Sequence, residues 1–194
     1  MPSKPPKLTV IKPGLLVRSD TGVILDARST VTLIQSDDHR ILIDTSLKKD
    51  RVVLRESLKA ESLSPEDINM ILLTHCHRDH IENNELFPNA SIYAHSSCPS
   101  KKIIKLERFP YHISQWIEII ETPGHSWDSI TIIVKLEKCY AIVGDAIPIK
   151  GNYEQWIPPI VHVDAKLALE SMEKIVRIAD VIIPGHDSPF SIKK

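Results

Sequence analysis

The stretch Thr74-His75-Cys76-His77-Arg78-Asp79-His80, directly behind the apolar run Met70-Ile71-Leu72-Leu73, sets the strongest condition on how this chain folds. Three imidazoles and a carboxylate fall between His75 and His80. Side chains at a strand end repeat every two residues, so His75 and His77 address the same point. Asp79 and His80 follow a turn later and can face a second point beside it. Imidazole and carboxylate together suit Zn, Fe or Mn, which a ligand set alone does not separate. A fold built on this stretch has to bring further donors to it.

Those donors recur in one context. Three of the six glycines, Gly124, Gly144 and Gly185, immediately precede His125, Asp145 and His186. Apolar runs lead into each: Ile119-Ile120, Tyr140-Ala141-Ile142-Val143 and Val181-Ile182-Ile183. A strand, then glycine, then a ligand is how a sheet presents side chains from its strand ends, because glycine permits a sharp departure and leaves room beside the backbone. The candidate ligands are therefore His75, His77, Asp79, His80, His125, Asp145 and His186, enough for two ions.

In that order these motifs resemble the metallo-β-lactamase superfamily over nearly the whole chain. The resemblance implies His75, His77 and His125 on one metal, Asp79, His80 and His186 on the other, and Asp145 bridging them. It also implies that Asp44, in Ile43-Asp44-Thr45, supports the site without binding metal. The half from Gly144 to His186 is further similar to the metallo-β-lactamase domain-containing protein 1 group. Many members place glycines just after the first motif, whereas Glu82, Asn83 and Asn84 follow Ile81 here.

At 194 residues the chain has material for one domain, 1–194, with a proper core. A net charge of −1 offers no global attraction to nucleic acid, so any RNA role rests on a local patch. The N-terminus lacks the apolar core of a signal peptide, and no run reaches the length of a membrane helix. Cys76, Cys98 and Cys139 are odd in number and scattered, which reads as reduced thiols of a cytoplasmic protein.

Periodicity predicts strands over Leu8–Val17, Val23–Asp26, Thr30–Gln35, Arg40–Asp44, Ala90–Ala94, Trp116–Glu121, Ile130–Glu137 and Cys139–Val143. A helix is expected from Asp50, its cap, to Ala60, then a turn opened by Ser64-Pro65. A second helix over Ala165–Ile178 is capped by Asp164, with Leu167, Met172, Ile175, Val176 and Ala179 on its core face. These alternations suit an α/β (α+β) chain. The resemblance implies the specific architecture, a four-layer αββα sandwich with the metals at the sheet edges.

Two adjacent ions would lower the pKa of a bridging water to near neutrality and stabilise negative charge on a carbonyl or phosphoryl oxygen. The expected activity is hydrolysis of an ester, thioester, lactone or phosphodiester, with Asp79 and Asp145 as catalytic carboxylates. Zn2+ at two per chain is the expected cofactor, with Mn2+ or Fe2+ as alternatives. The substrate is a small molecule or, through the basic segment holding Lys101, Lys102, Lys105 and Arg108, RNA. Trp156 and His162, on the stretch after Asp145, are further candidate substrate contacts. Persulfide dioxygenation at one iron is the competing redox reading, and a non-catalytic metal-binding module is the third. No membrane partner is expected, and the sequence does not specify an oligomeric state.

Overall fold

The computed structural model describes residues 4–193. In chain order the elements are β1 (Lys7–Lys12), β2 (Leu15–Arg18), β3 (Ile24–Arg28), β4 (Val31–Gln35), β5 (Arg40–Ile43), α1 (Arg51–Ala60), β6 (Met70–Leu72), α2 (Arg78–Ile81) and β7 (Ser91–His95). Then follow β8 (Ile104–Leu106), β9 (Tyr111–His112), β10 (Ile117–Glu121), β11 (Ile130–Lys135), β12 (Cys139–Gly144), α3 (Lys150–Gln155), α4 (Ala165–Ile178), β13 (Val181–Pro184) and β14 (Phe190–Ser191). One six-stranded sheet has the order β1-β4-β5-β6-β7-β8 and the other β14-β13-β12-β11-β10-β9. β2 and β3 pair only with each other.

Strand alternation builds the layers. Along β4 to β6, Leu33, Leu42 and Ile71 face α1 and join Leu54 and Leu58. Their neighbours Ile34, Ile41, Ile43 and Leu72 turn the other way, onto Ile119, Ile130, Ile132 and Ile142 of the second sheet. On that sheet's outer side Ile133, Ala141, Val143 and Ile182 meet Met172 and Ile175 of α4. Strands buried on both faces give near-continuous apolar runs, and three stacked cores make the expected helix–sheet–sheet–helix order.

Topology then gathers the ligands. β5, β6 and β7 are parallel, and β10, β12 and β13 share one direction because β10 and β12 both oppose β11 while β13 parallels β12. Each candidate ligand lies just beyond the C-terminal end of β6, β10, β12 or β13.

Several local expectations change. The predicted strand Leu8–Val17 is broken into β1 and β2 at Pro13, which cannot donate to a ladder. Asp50 makes no capping bond to α1. The 3-10 turn Lys48–Asp50 runs straight into that helix, and the buried Asp50 carboxylate instead accepts from Ser46 (2.7 Å) and Arg28 (3.1 Å). Asp164 does cap α4, accepting from the Leu167 amide at 2.9 Å. The deepest face of α4 runs through Ala168, Ser171, Met172 and Ile175 rather than Leu167, because the backbone of Gly124 packs directly on Ala168.

The thiol reading is corrected. Cys76 and Cys98 form a disulfide, with Cα atoms 5.7 Å apart, and Cys139 is not disulfide-bonded. The parallel pairing of β6 and β7 brings together the loops that follow them. The pairing removes the cysteine argument for a cytoplasmic protein. Among the described residues no helix is long and apolar enough to cross a membrane.

Candidate metal centre

The loop after β6 places His75 and His77 side by side, and the loop after β10 adds His125. His75 Nε2 lies 3.1 Å from His77 Nδ1 and 3.2 Å from His125 Nε2, and the last two atoms are 2.9 Å apart. Metal–nitrogen bonds of ~2.0–2.1 Å in tetrahedral geometry need ligand atoms about 3.3 Å apart. The triangle is therefore of ligand size. The His125 Nδ1–H donates to the Val161 carbonyl at 2.7 Å, which leaves Nε2 with its lone pair turned to the other two rings. Such an outer partner fixes the tautomer of a ligating histidine.

A second group lies beside the first. Asp79 Oδ2 is 3.9 Å from His80 Nε2 and 3.3 Å from His186 Nε2. His80 Nδ1 is held by Asp44 (2.7 Å) and His186 Nδ1 donates to the Arg28 carbonyl (3.0 Å), so both Nε2 atoms face inward. Asp145 stands between the groups, within 3.5 Å of His80 and His125 and 3.2 Å of His186. Two atoms here, His80 Nε2 and Asp145 Oδ1, are fully buried yet make no hydrogen bond. Buried polar atoms without partners are uncommon, and a divalent ion fits this one.

Backbone geometry explains Gly144 and Gly185. Gly144 has φ +50°, where a side chain is strained, and lies against Thr74. A Cβ on Gly185 would fall on Asp145 Oδ1. The missing methyl is the space the carboxylate uses.

Asp44 does not belong to either donor group. Its Oδ1 accepts from the Thr74 amide (2.8 Å) and its Oδ2 from the Thr74 hydroxyl (2.7 Å), so it ties His80 to the strand that carries the motif. On the other side of the loop, Asp128 accepts from the Cys76 amide at 2.9 Å. In place of the expected glycines, buried Asn83 donates to the carbonyls of Thr45 (2.8 Å) and Leu47 (2.6 Å) and fixes the adjoining wall.

Charge follows from these contacts. Burial, and then His80, hold His75 well below the ordinary imidazole range, and burial lowers His125. Burial would also lower His80, but the Asp44 and Asp145 carboxylates outweigh it and hold it well above that range. His186 is raised in the same way by Asp145. Burial would raise Asp145, but His186 and His80 hold it far below the usual carboxylate value.

We expect Asp44→Asn, which tolerates the left-handed backbone at this position (φ 59°), to weaken metal binding at the His80 group by about 10- to 100-fold. Titration against a competing chelator measures this, and unchanged affinity would leave Asp44 without a supporting role.

A cavity of about 250 Å³ opens over the centre, floored by His77, Asp79, His125, Asp145 and His186. Its walls are Leu16, Arg18, Ile24 and Ala27 of the β2–β3 hairpin and Pro148, Pro159, Ile160 and Val161. Trp156, His162, Lys101 and Lys102 are not among its walls. Trp156 is 43% exposed, beyond α3. His162 is exposed and bonds back to the Pro159 carbonyl (2.7 Å). Lys101 and Lys102 are exposed, and Lys105 folds onto the Cys98 carbonyl. The hairpin wall was missed in the sequence: Leu16 and Ile24 read there only as strand residues, and Arg18 fell outside both strands.

A model described as the metallo-beta-lactamase superfamily matches residues 26–115. The chain is 42% identical to a "probable metallo-hydrolase" of Methanocaldococcus jannaschii, over 90% of this chain and 83% of that one. It is 31% identical to metallo-beta-lactamase domain-containing protein 1 of Xenopus laevis, over 89% and 76% respectively. In structure it is similar to a Thermotoga maritima metallo-beta-lactamase candidate (TM-score 0.80, 23% identity, 97% of this chain and 100% of that one). A second neighbour is a B. thuringiensis AiiA mutant with N-decanoyl-L-homoserine bound at the active site (TM-score 0.72, 20% identity, 96% and 94%).

Proposed function

The chain belongs to the metallo-beta-lactamase superfamily and is a metal-dependent hydrolase, and from that premise we propose that it holds two divalent ions, zinc first among them, and cleaves an acyl bond of a small ester, thioester or lactone. The observation that carries the dinuclear reading is the position of Asp145, within 3.5 Å of histidines from both groups. His75, His77 and His125 would hold one ion, Asp79, His80 and His186 the other, with Asp145 shared. Ions bound there supply Lewis acidity, which lowers the pKa of a water and polarises the carbonyl oxygen. Asp145, close to histidines of both groups, would supply negative charge to ions held there. Asp79, whose side chain is 23% exposed at the cavity floor, is the carboxylate that would accept the proton released by water and return it to the leaving group. Ile160, Val161, Leu16 and Ile24 offer apolar surface to the acyl portion.

The cavity walls support an acyl substrate over RNA. Their only cation is Arg18, whereas a polyanion site tracks a backbone with several. The purified protein is expected to carry close to two zinc ions per chain and to cleave lactones, esters or thioesters while leaving bis(4-nitrophenyl) phosphate nearly untouched. Turnover of the phosphodiester alone would overturn the acyl assignment in favour of the RNA reading, and one iron per chain would favour oxygen chemistry.

A further inference from the structure

Arg18 lines the cavity above the candidate metal centre, and among the described residues its side chain makes no ion pair or hydrogen bond. Its Nε is closed off from solvent. A guanidinium presents donors in a planar fork suited to carboxylate or phosphate, and in this half-buried one Nε is closed off without a partner while the outer nitrogens are not.

Its position is built. Within the β2–β3 hairpin, Val17 pairs with Asp26 but Arg18 pairs with Ile24, so Leu25 is the extra residue of a bulge. Bulges re-aim side chains. Here the shift puts Arg18 and Ile24 on the same wall as Leu16 and Ala27, and leaves Leu25 65% exposed outside.

Asp20, two residues on in the turn, is exposed and makes no ion pair with Arg18, and the other acids of the hairpin and cavity floor are engaged. Asp26 takes two bonds from Arg28 (2.9 and 2.7 Å) and one from Lys49 (2.5 Å). At the cavity floor, Asp79 and Asp145 pair with the imidazoles of His186, His80 and His125. The described residues thus offer Arg18 no ion-pair partner.

We propose that Arg18 is the specificity determinant of this cavity and binds an anionic oxygen group, carboxylate or phosphate, at the end of the substrate remote from the scissile carbonyl. The substrate class is then an ester, thioester or lactone that carries a negative charge beyond an apolar spacer lying along Leu16, Ile24, Ile160 and Val161. This rests on the acyl-hydrolase reading above for the identity of the reacting bond, but not for the anion itself.

Binding and turnover separate the two. Calorimetry on the metal-loaded protein would compare succinate, glutarate and adipate with butyrate. At least one diacid should bind ten-fold or more tighter than butyrate, and Arg18→Gln should erase that advantage. Arg18→Lys, a point charge without the fork, should restore only part of it. Phosphonocarboxylates of matched length tell the anions apart, since tighter binding than the diacid marks a phosphate site. In turnover, mono(4-nitrophenyl) glutarate should show a KM at least ten-fold higher in Arg18→Gln, with kcat and the rate on neutral 4-nitrophenyl valerate within about two-fold of the parent. Diacids that bind no better than butyrate, or bind Arg18→Gln as tightly as the parent, overturn the proposal. Cleavage of neither ester with the Arg18-dependent binding intact would sustain the anion site and remove the acyl-hydrolase reading instead.

Discussion

Asp145→Asn should lower hydrolysis by at least about 10²-fold, the scale of general acid–base and metal-positioning roles, while the circular dichroism spectrum stays that of the parent. The substitution preserves shape, so the packing against Gly185 is kept. It removes the charge that Asp145 presents to His80, His125 and His186. Two neighbouring cations repel strongly unless an anion lies between them, so the more weakly held ion should be lost first. The amide would also turn a donor toward a position that the buried, unpartnered Oδ1 now fills as an acceptor. Two measurements decide the outcome: metal content, expected to fall from two ions per chain toward one, and turnover. A variant that hydrolyses as fast as the parent would overturn the role given to Asp145.

That the convergence of these candidate ligands could be anticipated from sequence has a physical basis. A metal needs particular atoms, so its ligands are confined to a few residue types, and strand ends with glycine mark where they emerge. Seven such residues, His75 to His186, converge on one edge because parallel strands deliver their C-terminal ends together. The layers were legible for a similar reason: Leu33 and Ile34 occupy different cores because alternation sends them to opposite faces. What escaped depends on contacts that leave no local trace. Cys76 and Cys98 meet only because β6 and β7 are neighbours. Asp50 looks like a helix cap, yet partners distant in sequence, Arg28 and Lys12, claim its carboxylate. The cavity wall was invisible because one bulge decides whether Ile24 or Leu25 faces inward. Nothing in the spacing of Arg18 distinguishes it from a solvated hairpin residue.

Stripping the divalent ions with a chelator should lower the melting temperature by roughly 10 °C at pH 7.5. Ligand at a thousand times its dissociation constant stabilises by about 4 kcal/mol, and each kcal/mol moves a chain of this size by about 2–4 °C. The stripped centre would hold imidazole nitrogens 2.9–3.2 Å apart with nothing between them. Removing Asp79 and His186 together by alanine should leave one ion per chain and a smaller melting gap, since the group of His75, His77 and His125 is untouched. The gap should also depend on pH. His80 and His186 are raised above the usual 6.5, whereas His75 and His125 are lowered. Protonation of the first pair stabilises the stripped fold fully below about that value, and this contribution is lost as pH rises through the raised values. The second pair, held neutral, opposes it in acid. Protons also compete with metal for the same nitrogens in acid. The histidine contributions offset one another, so this competition sets the sign, and the loaded and stripped forms should melt closer together at pH 6 than at pH 8. A gap that is constant across that range, or a double variant that still binds two ions, would mean that His80, His186 and Asp79 do not form the second site.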